Sequence, residues 1–282
     1  LKKPEKHLGV FAVFVSFFPQ LVAGPIERSS NLIPQLRKKI SFSYDNFKAG
    51  INLILWGIFK KTVIANRLSI VVNEVYGSNN QYDGPTLIVA TIFFAFQIYC
   101  DFSGYTDIAR GSAKILGIDL MKNFRMPYFS KSLGEFWHRW HISLSTWFRD
   151  YVYIPLGGSR RVKWRWYYNL LITFLISGLW HGAEWTFVVW GGIHGVLLIL
   201  ETLWKVESKG VLKILKWVKT FTIVCLAWIF FRADSLAHAT EILREIFNFS
   251  EYSLNDLSLG IVPVGRGTVY PLDMLISYVM IG

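Results

Sequence analysis

The chain has 282 residues and six histidines. Three of those histidines sit where their chemistry deserves a reading. His181 lies in Gly178-Leu179-Trp180-His181-Gly182, at the end of one apolar run, with Trp185 opening the next. An ionisable side chain at such a break is costly to keep and points to function. The structural alternative is a histidine hydrogen-bonded to a neighbouring helix. For His194, set between glycines in Gly191-Gly192-Ile193-His194-Gly195, close helix packing is the better reading.

His138 and His141 belong to residues 133–151, LGEFWHRWHISLSTWFRDY. On a single helix, Glu135, His138, His141, Ser145 and Arg149 fall within about 120° of one another. Phe136, Trp140, Leu144, Trp147 and Tyr151 fall opposite, and Ile142 is out of place on the polar face. A surface helix on a membrane usually fills its polar face with Lys and Arg. Two histidines, a glutamate and a serine fit an internal polar site better.

A third cluster runs Tyr99-Cys100-Asp101-Phe102-Ser103-Gly104-Tyr105-Thr106-Asp107, followed by Arg110. Asp101 or Asp107 could orient a histidine, or pair with Arg110 to hold a helix end.

The chemistry open to these residues is narrow. The chain has no G-x-S-x-G elbow, P-loop, G-x-G-x-x-G or H-E-x-x-H. A neutral imidazole in an aromatic, water-poor setting is a suitable general base for an alcohol. Deprotonating a hydroxyl as it attacks a thioester or ester is acyl transfer, and excluding water protects the activated acyl group. The competing use is a three-histidine metal site from His138, His141 and His181. The spacing of three between His138 and His141 and the lack of an acidic ligand argue against it, and no metal is expected.

These residues must be held by membrane elements. Apolar runs cover residues 8–23, 51–72, 86–100, 168–180, 185–200, 221–231 and 272–281. Several are shorter than the roughly 20 residues of a straight crossing, and one carries Lys60 and Lys61. Tilted, broken or re-entrant helices around a polar cavity are expected, since irregular backbone at membrane depth must be buried in protein or line a cavity. The fold class is all-α and polytopic. Seventeen per cent aromatic residues suit lipid-facing surfaces with rings at the headgroups.

The net charge of +11 sits between the apolar runs, at residues 37–39, 60–61, 160–165 and 213–219. That is the positive-inside pattern, so acidic lipid headgroups of the bilayer, not nucleic acid, are the expected partners. Cys100 and Cys225 give neither a disulfide framework nor metal spacing and are expected to be small buried hydrophobes.

Five stretches together resemble the membrane-bound O-acyltransferase family. They are Phe17-Phe18-Pro19-Gln20 to Gly24-Pro25-Ile26; Tyr99 to Asp107; Asn123-Phe124 to Pro127-Tyr128; Phe136-Trp137-His138-Arg139-Trp140-His141-Ile142-Ser143 to Trp147-Phe148-Arg149-Asp150-Tyr151; and Gly178-Leu179-Trp180-His181-Gly182 to Trp185-Thr186. They occur in the family order over residues 10–195. The likeness is greatest to the bacterial branch of alginate O-acetyltransferases and D-alanyl transfer proteins, and the 136–143 form favours the alginate side.

The resemblance implies a helical membrane domain around a central tunnel, in a bacterial cytoplasmic (inner) membrane. It implies acyl transfer, of acetyl for the alginate side, from a thioester such as acetyl-CoA or an acyl carrier to a hydroxyl, with no bound cofactor. The acceptor would be a cell-surface polysaccharide or a separate extracytoplasmic acetyltransferase. The family's invariant histidine falls on His181 and a second on His141. His138, Asp101, Asp107, Ser145, Trp180 and Arg149 are supporting or substrate-binding candidates. Arg160, Arg161 and Lys163 would attract an anionic donor at the cytoplasmic mouth. Relatives are longer at both ends, so residues 1–282 are expected to be one domain truncated at both. The alternative reading is a lipid or glycan transporter or flippase with broken helices, although no inverted repeat supports it; a third is a non-catalytic scaffold that anchors a soluble enzyme.

Overall fold

A computed structural model describes residues 5–77, 82–203, 211–252, 262–264 and 267–269. Eleven α-helices carry the described chain: α1 (Leu8–Ser16), α2 (Ser29–Leu36), α3 (Tyr44–Ile58), α4 (Asn66–Gly77), α5 (Gly84–Ile115), α6 (Leu133–Arg139), α7 (Ile142–Phe148), α8 (Lys163–His181), α9 (Trp185–Leu203), α10 (Leu212–Arg232) and α11 (Leu236–Phe247). The only described strands form a short antiparallel hairpin pairing Val262 with Val269. The helical membrane architecture is the one expected.

Among the described residues, three helices are long and apolar enough to cross a membrane: α5, α9 and α10. The run at 8–23 is shorter, a helix followed by a 3₁₀ turn at Phe18–Gln20. The run at 272–281 lies outside the described residues. α8 carries the run at 168–180 but opens with Lys163 and Arg165 and buries Asn169, Thr173 and Ser177 along its length. The run at 51–72 joins α3 and α4 through a π-helical segment, Phe59–Ala65, that contains both lysines. The expected irregularity there is a change of helical winding rather than a break.

Close backbone approach fixes α3 on α5. A Cβ on Gly50 would stand 2.6 Å from the Gly111 carbonyl oxygen, and one on Gly57 2.5 Å from that of Gly104. The two pairs are seven residues apart on each helix and run in opposite order, so they define an antiparallel seam of small residues. α8 and α9 meet in the same way: a Cβ on Gly178 would lie 2.2 Å from the Phe187 carbonyl, and one on Gly191 2.3 Å from that of Phe174. The packing expected around His194 is this seam. The α3–α5 seam aims Asp101, Asp107 and Arg110, while the α8–α9 seam sets His181 beside α9.

The core lies among α4, α5, α6, α9, α10 and α11, with Trp190, Trp228, Tyr76 and Phe136 almost fully buried. Cys100 and Cys225 are buried and free, as expected.

A methyl group cannot enter the α3–α5 seam without moving a main chain. Gly57→Ala should cost about 1–3 kcal/mol through overpacking. Gly77→Ala, whose Cβ would meet no described atom within 4 Å, should be near neutral. Thermal unfolding of the detergent-solubilised protein, followed by loss of the monodisperse peak, compares the two.

Candidate functional site

The segment at 133–151 is not the single amphipathic helix expected. It breaks into α6 and α7 at Trp140, which is extended (φ −103°, ψ 129°), and His141, which is left-handed (φ 42°, ψ 53°). Residues 123–125 cause the break by competing for its backbone. The Arg125 amide donates to the Arg139 carbonyl (2.9 Å), the Ile142 amide to the Asn123 carbonyl (3.0 Å) and the Ser143 amide to Asn123 Oδ1 (3.1 Å). Met126, beside this crossing, is also left-handed (φ 48°). These are the two described non-glycine residues in that region, and strain of this kind gathers at functional sites.

The break divides the polar face. His141 is turned into a cavity of about 390 Å³ that also takes His181, Asp101, Trp180 and Gln20. His138, Ser145 and Arg149 open on a second cavity of about 430 Å³ between α6, α7, α8 and α9. The three-histidine arrangement is therefore not formed, and among the described residues no three His, Cys, Asp or Glu side chains are disposed as a metal site. The Phe148 ring, on the second cavity, meets the Trp180 ring, on the first, at 6.4 Å.

Aromatic rings box in both histidines of the first cavity. His141 stands edge-on to Phe102 at 4.5 Å and 6.5 Å from Trp180. His181 lies 5.0 Å from Trp180 and 5.3 Å from both Trp190 and Phe231. Among the described residues neither imidazole has a hydrogen-bond partner, so the structural alternative for His181, a bond to a neighbouring helix, is not what holds it. His141 is 6% exposed. Burial, reinforced by nearby His181, pushes its imidazole well below the ordinary value and keeps it neutral at pH 7.

The carboxylates are placed differently from one another. Asp101 lines the histidine cavity and is engaged by Lys61. Asp107 reaches neither cavity; it pairs with Lys60 (2.7 Å) and Arg110 (3.1 Å), while Lys60 also donates to Ser103 Oγ (2.9 Å). The Arg110 pairing anticipated for the cluster is the one formed. Ser145 Oγ is spent on the Trp140 carbonyl (3.2 Å), His138 Nδ1 on the Gly134 carbonyl (2.6 Å) and Arg149 on Asp150 (2.9 Å).

Residues not assigned to the site from the sequence complete the cavity: Trp190 from α9, Trp228 and Phe231 from α10, and Gln20, whose buried Oε1 has no partner among the described residues. The chain turns back sharply just after Gln20; a Cβ on Gly24 would meet the Gln20 Cα at 2.4 Å. That turn was visible as Gly24-Pro25, but its destination was not.

Comparison with known proteins agrees with this architecture. The family model described as "MBOAT, membrane-bound O-acyltransferase family" matches residues 7–233. The probable alginate O-acetylase AlgI of Azotobacter vinelandii is 40% identical over 254 residues, covering 90% of this chain and 50% of that protein. The peptidoglycan O-acetyltransferase of Helicobacter pylori is 39% identical over 258 residues, covering 89% and 49%. The teichoic acid D-alanyltransferase of Bacillus subtilis is 30% identical over 263 residues, covering 84% and 65%. The chain belongs to the membrane-bound O-acyltransferase family. It spans about half the length of the alginate and peptidoglycan relatives.

Because His141 binds a proton less readily when folded than when unfolded, acidification favours the unfolded chain. Stability should fall as pH drops below about 6.5, the unfolded value. His141→Asn, which tolerates the left-handed backbone, should remove part of that slope. Melting temperatures of both proteins between about pH 7.5 and pH 5.5 check this; parallel slopes would contradict it.

Proposed function

We propose that this chain forms the acyl-transfer centre of a multi-pass O-acyltransferase of the bacterial cytoplasmic membrane. It moves an acyl group, acetyl by its likeness to the alginate relatives, from a thioester donor to a hydroxyl. The observation that carries the reading is the pair of imidazoles, His141 and His181, opening on one aromatic-walled cavity with no hydrogen-bond partner among the described residues.

His181 is the general base. Its unprotonated ring nitrogen takes the proton of the acceptor hydroxyl as that oxygen attacks the acyl carbonyl carbon. The carbon–sulfur bond breaks, and the departing thiolate recovers the proton from the imidazolium. His141, held neutral by burial, donates an N–H to the acyl carbonyl oxygen as charge develops there. Asp101, paired with Lys61, stands at the cavity wall. Trp180 between the two rings shields the acyl group from water.

The donor is acetyl-CoA or an acyl carrier thioester, and no bound cofactor takes part. It is drawn in by the basic segment Arg160, Arg161 and Lys163, which follows Ser159 at the second cavity. A basic rim of that kind suits an anionic donor. The acceptor is a cell-surface polysaccharide, or a partner acetyltransferase that completes transfer to it. The names of relatives acting on alginate, peptidoglycan and teichoic acid support an acceptor of this class.

His181→Ala in the full-length protein should reduce O-acylation by at least about 100-fold while insertion and melting temperature hold. Acetate released from the isolated cell-surface glycan measures it, and full acylation by the inserted variant would overturn the assignment. Arg160→Glu with Arg161→Glu should raise the donor KM more than it lowers kcat. A salt titration of initial rates gives the check, because the screened wild type should approach the variant.

A further inference from the structure

Glu201 stands near the C-terminal end of α9, in a helix otherwise apolar enough to span a membrane. Half-buried there, its carboxylate needs partners within the protein. Its two oxygens are directed at α6. Oε1 accepts from the Leu133 amide (3.1 Å) and Oε2 from the Gly134 amide (3.0 Å). Those are first-turn amides of α6, which have no partner within their own helix. Ser132 satisfies the next, on Glu135 (3.0 Å).

A second tie lies seven residues back along α9. The indole of Trp137, on α6, donates to Nδ1 of fully buried His194 (3.4 Å). Four residues further back, Trp190 stands perpendicular to His181 at 5.3 Å. Spacings of four and seven keep Trp190, His194 and Glu201 on one stripe of the helix. The stripe thus meets His181 at one end and grips α6 at the other, roughly 16 Å along the axis. α6 has seven residues and runs directly into the break that turns His141 towards His181. A short helix held at its first turn and its middle has little freedom to pivot.

We propose that α9 is the alignment element of this site, and that Glu201 is a positioning residue that sets His141 relative to His181 by capping α6 from outside. The proposal rests on the reading of these two histidines as the acyl-transfer pair. Glu201 touches no reacting atom; it acts through α6.

The test uses the full-length protein in lipid nanodiscs and two readouts. One is carbethoxylation of individual histidines by diethyl pyrocarbonate, read by mass spectrometry. The other is steady-state acyl transfer. In Glu201→Leu, His141 should become several-fold more reactive while His181 is unchanged, and kcat should fall about 100-fold with donor KM nearly constant, as expected for misplacement by about 1 Å. Glu201→Gln keeps one carbonyl acceptor and should recover part of both. A simple loss of stability would raise the reactivity of both histidines together and lower the melting temperature; that result overturns the proposal. Unchanged His141 reactivity in both variants overturns it as well. If His141 reactivity shifts while acyl transfer holds, the alignment stands and the assignment of His141 to the chemistry falls.

Discussion

The structure turns on a demand of the peptide backbone: wherever the chain leaves a helix among apolar neighbours, each freed amide and carbonyl needs a protein partner. At residues 139–143 that partner is the stretch 123–125. Buried Asn123 serves twice, through its carbonyl and its side chain. Without this crossing, residues 133–151 would follow their pattern into one helix, and the polar side chains would share one face. With it, they are divided between two cavities separated by the contact of Phe148 with Trp180.

Around the break, the protein uses two sorts of material. Rings supply bulk without polarity. Tyr99, Phe124, Tyr128, Phe136 and Trp140 contact one another edge-on and stacked, and such contacts add a directional preference to burial. Glycine seams supply proximity. They bring α3 to α5 and α8 to α9 closely enough that main chain touches main chain. Several charges are matched across the fold: Lys60 and Arg110 with Asp107, Lys61 with Asp101, Arg28 and Arg149 with Asp150. Lys60 is 6% exposed and tolerable there because Ser103 and Asp107 both accept hydrogen bonds from its ammonium.

Much of this was legible in the residues. The apolar runs marked most of the helices, the Gly182–Glu184 gap marked the end of α8, and the glycines beside His194 marked a seam. His181 and His141 were singled out, and they do share a cavity. The break at 140–141 was not legible, because its cause lies some twenty residues away in sequence and 133–151 by itself reads as a regular helix. For the same reason His138, Ser145 and Arg149 were grouped with His141 although they face elsewhere. Asp107 and Asp101 looked equivalent on one helix; the lysines of the π-helical segment made them different. Glu201 gave no local signal, since a single glutamate near a helix end is ordinary until its partner is seen across the fold.

The handedness of residue 141 bears on how this lineage can drift. A left-handed backbone admits glycine, asparagine and aspartate far more easily than branched or bulky side chains. A descendant that abandoned the imidazole would therefore find few neighbours in sequence space that keep the crossing over residues 123–125. Those few are small, and all but glycine are polar. The shape of the main chain would outlast the reaction, and a polar residue at this position in a silent paralogue would record the geometry of an ancestral turn, not a surviving activity.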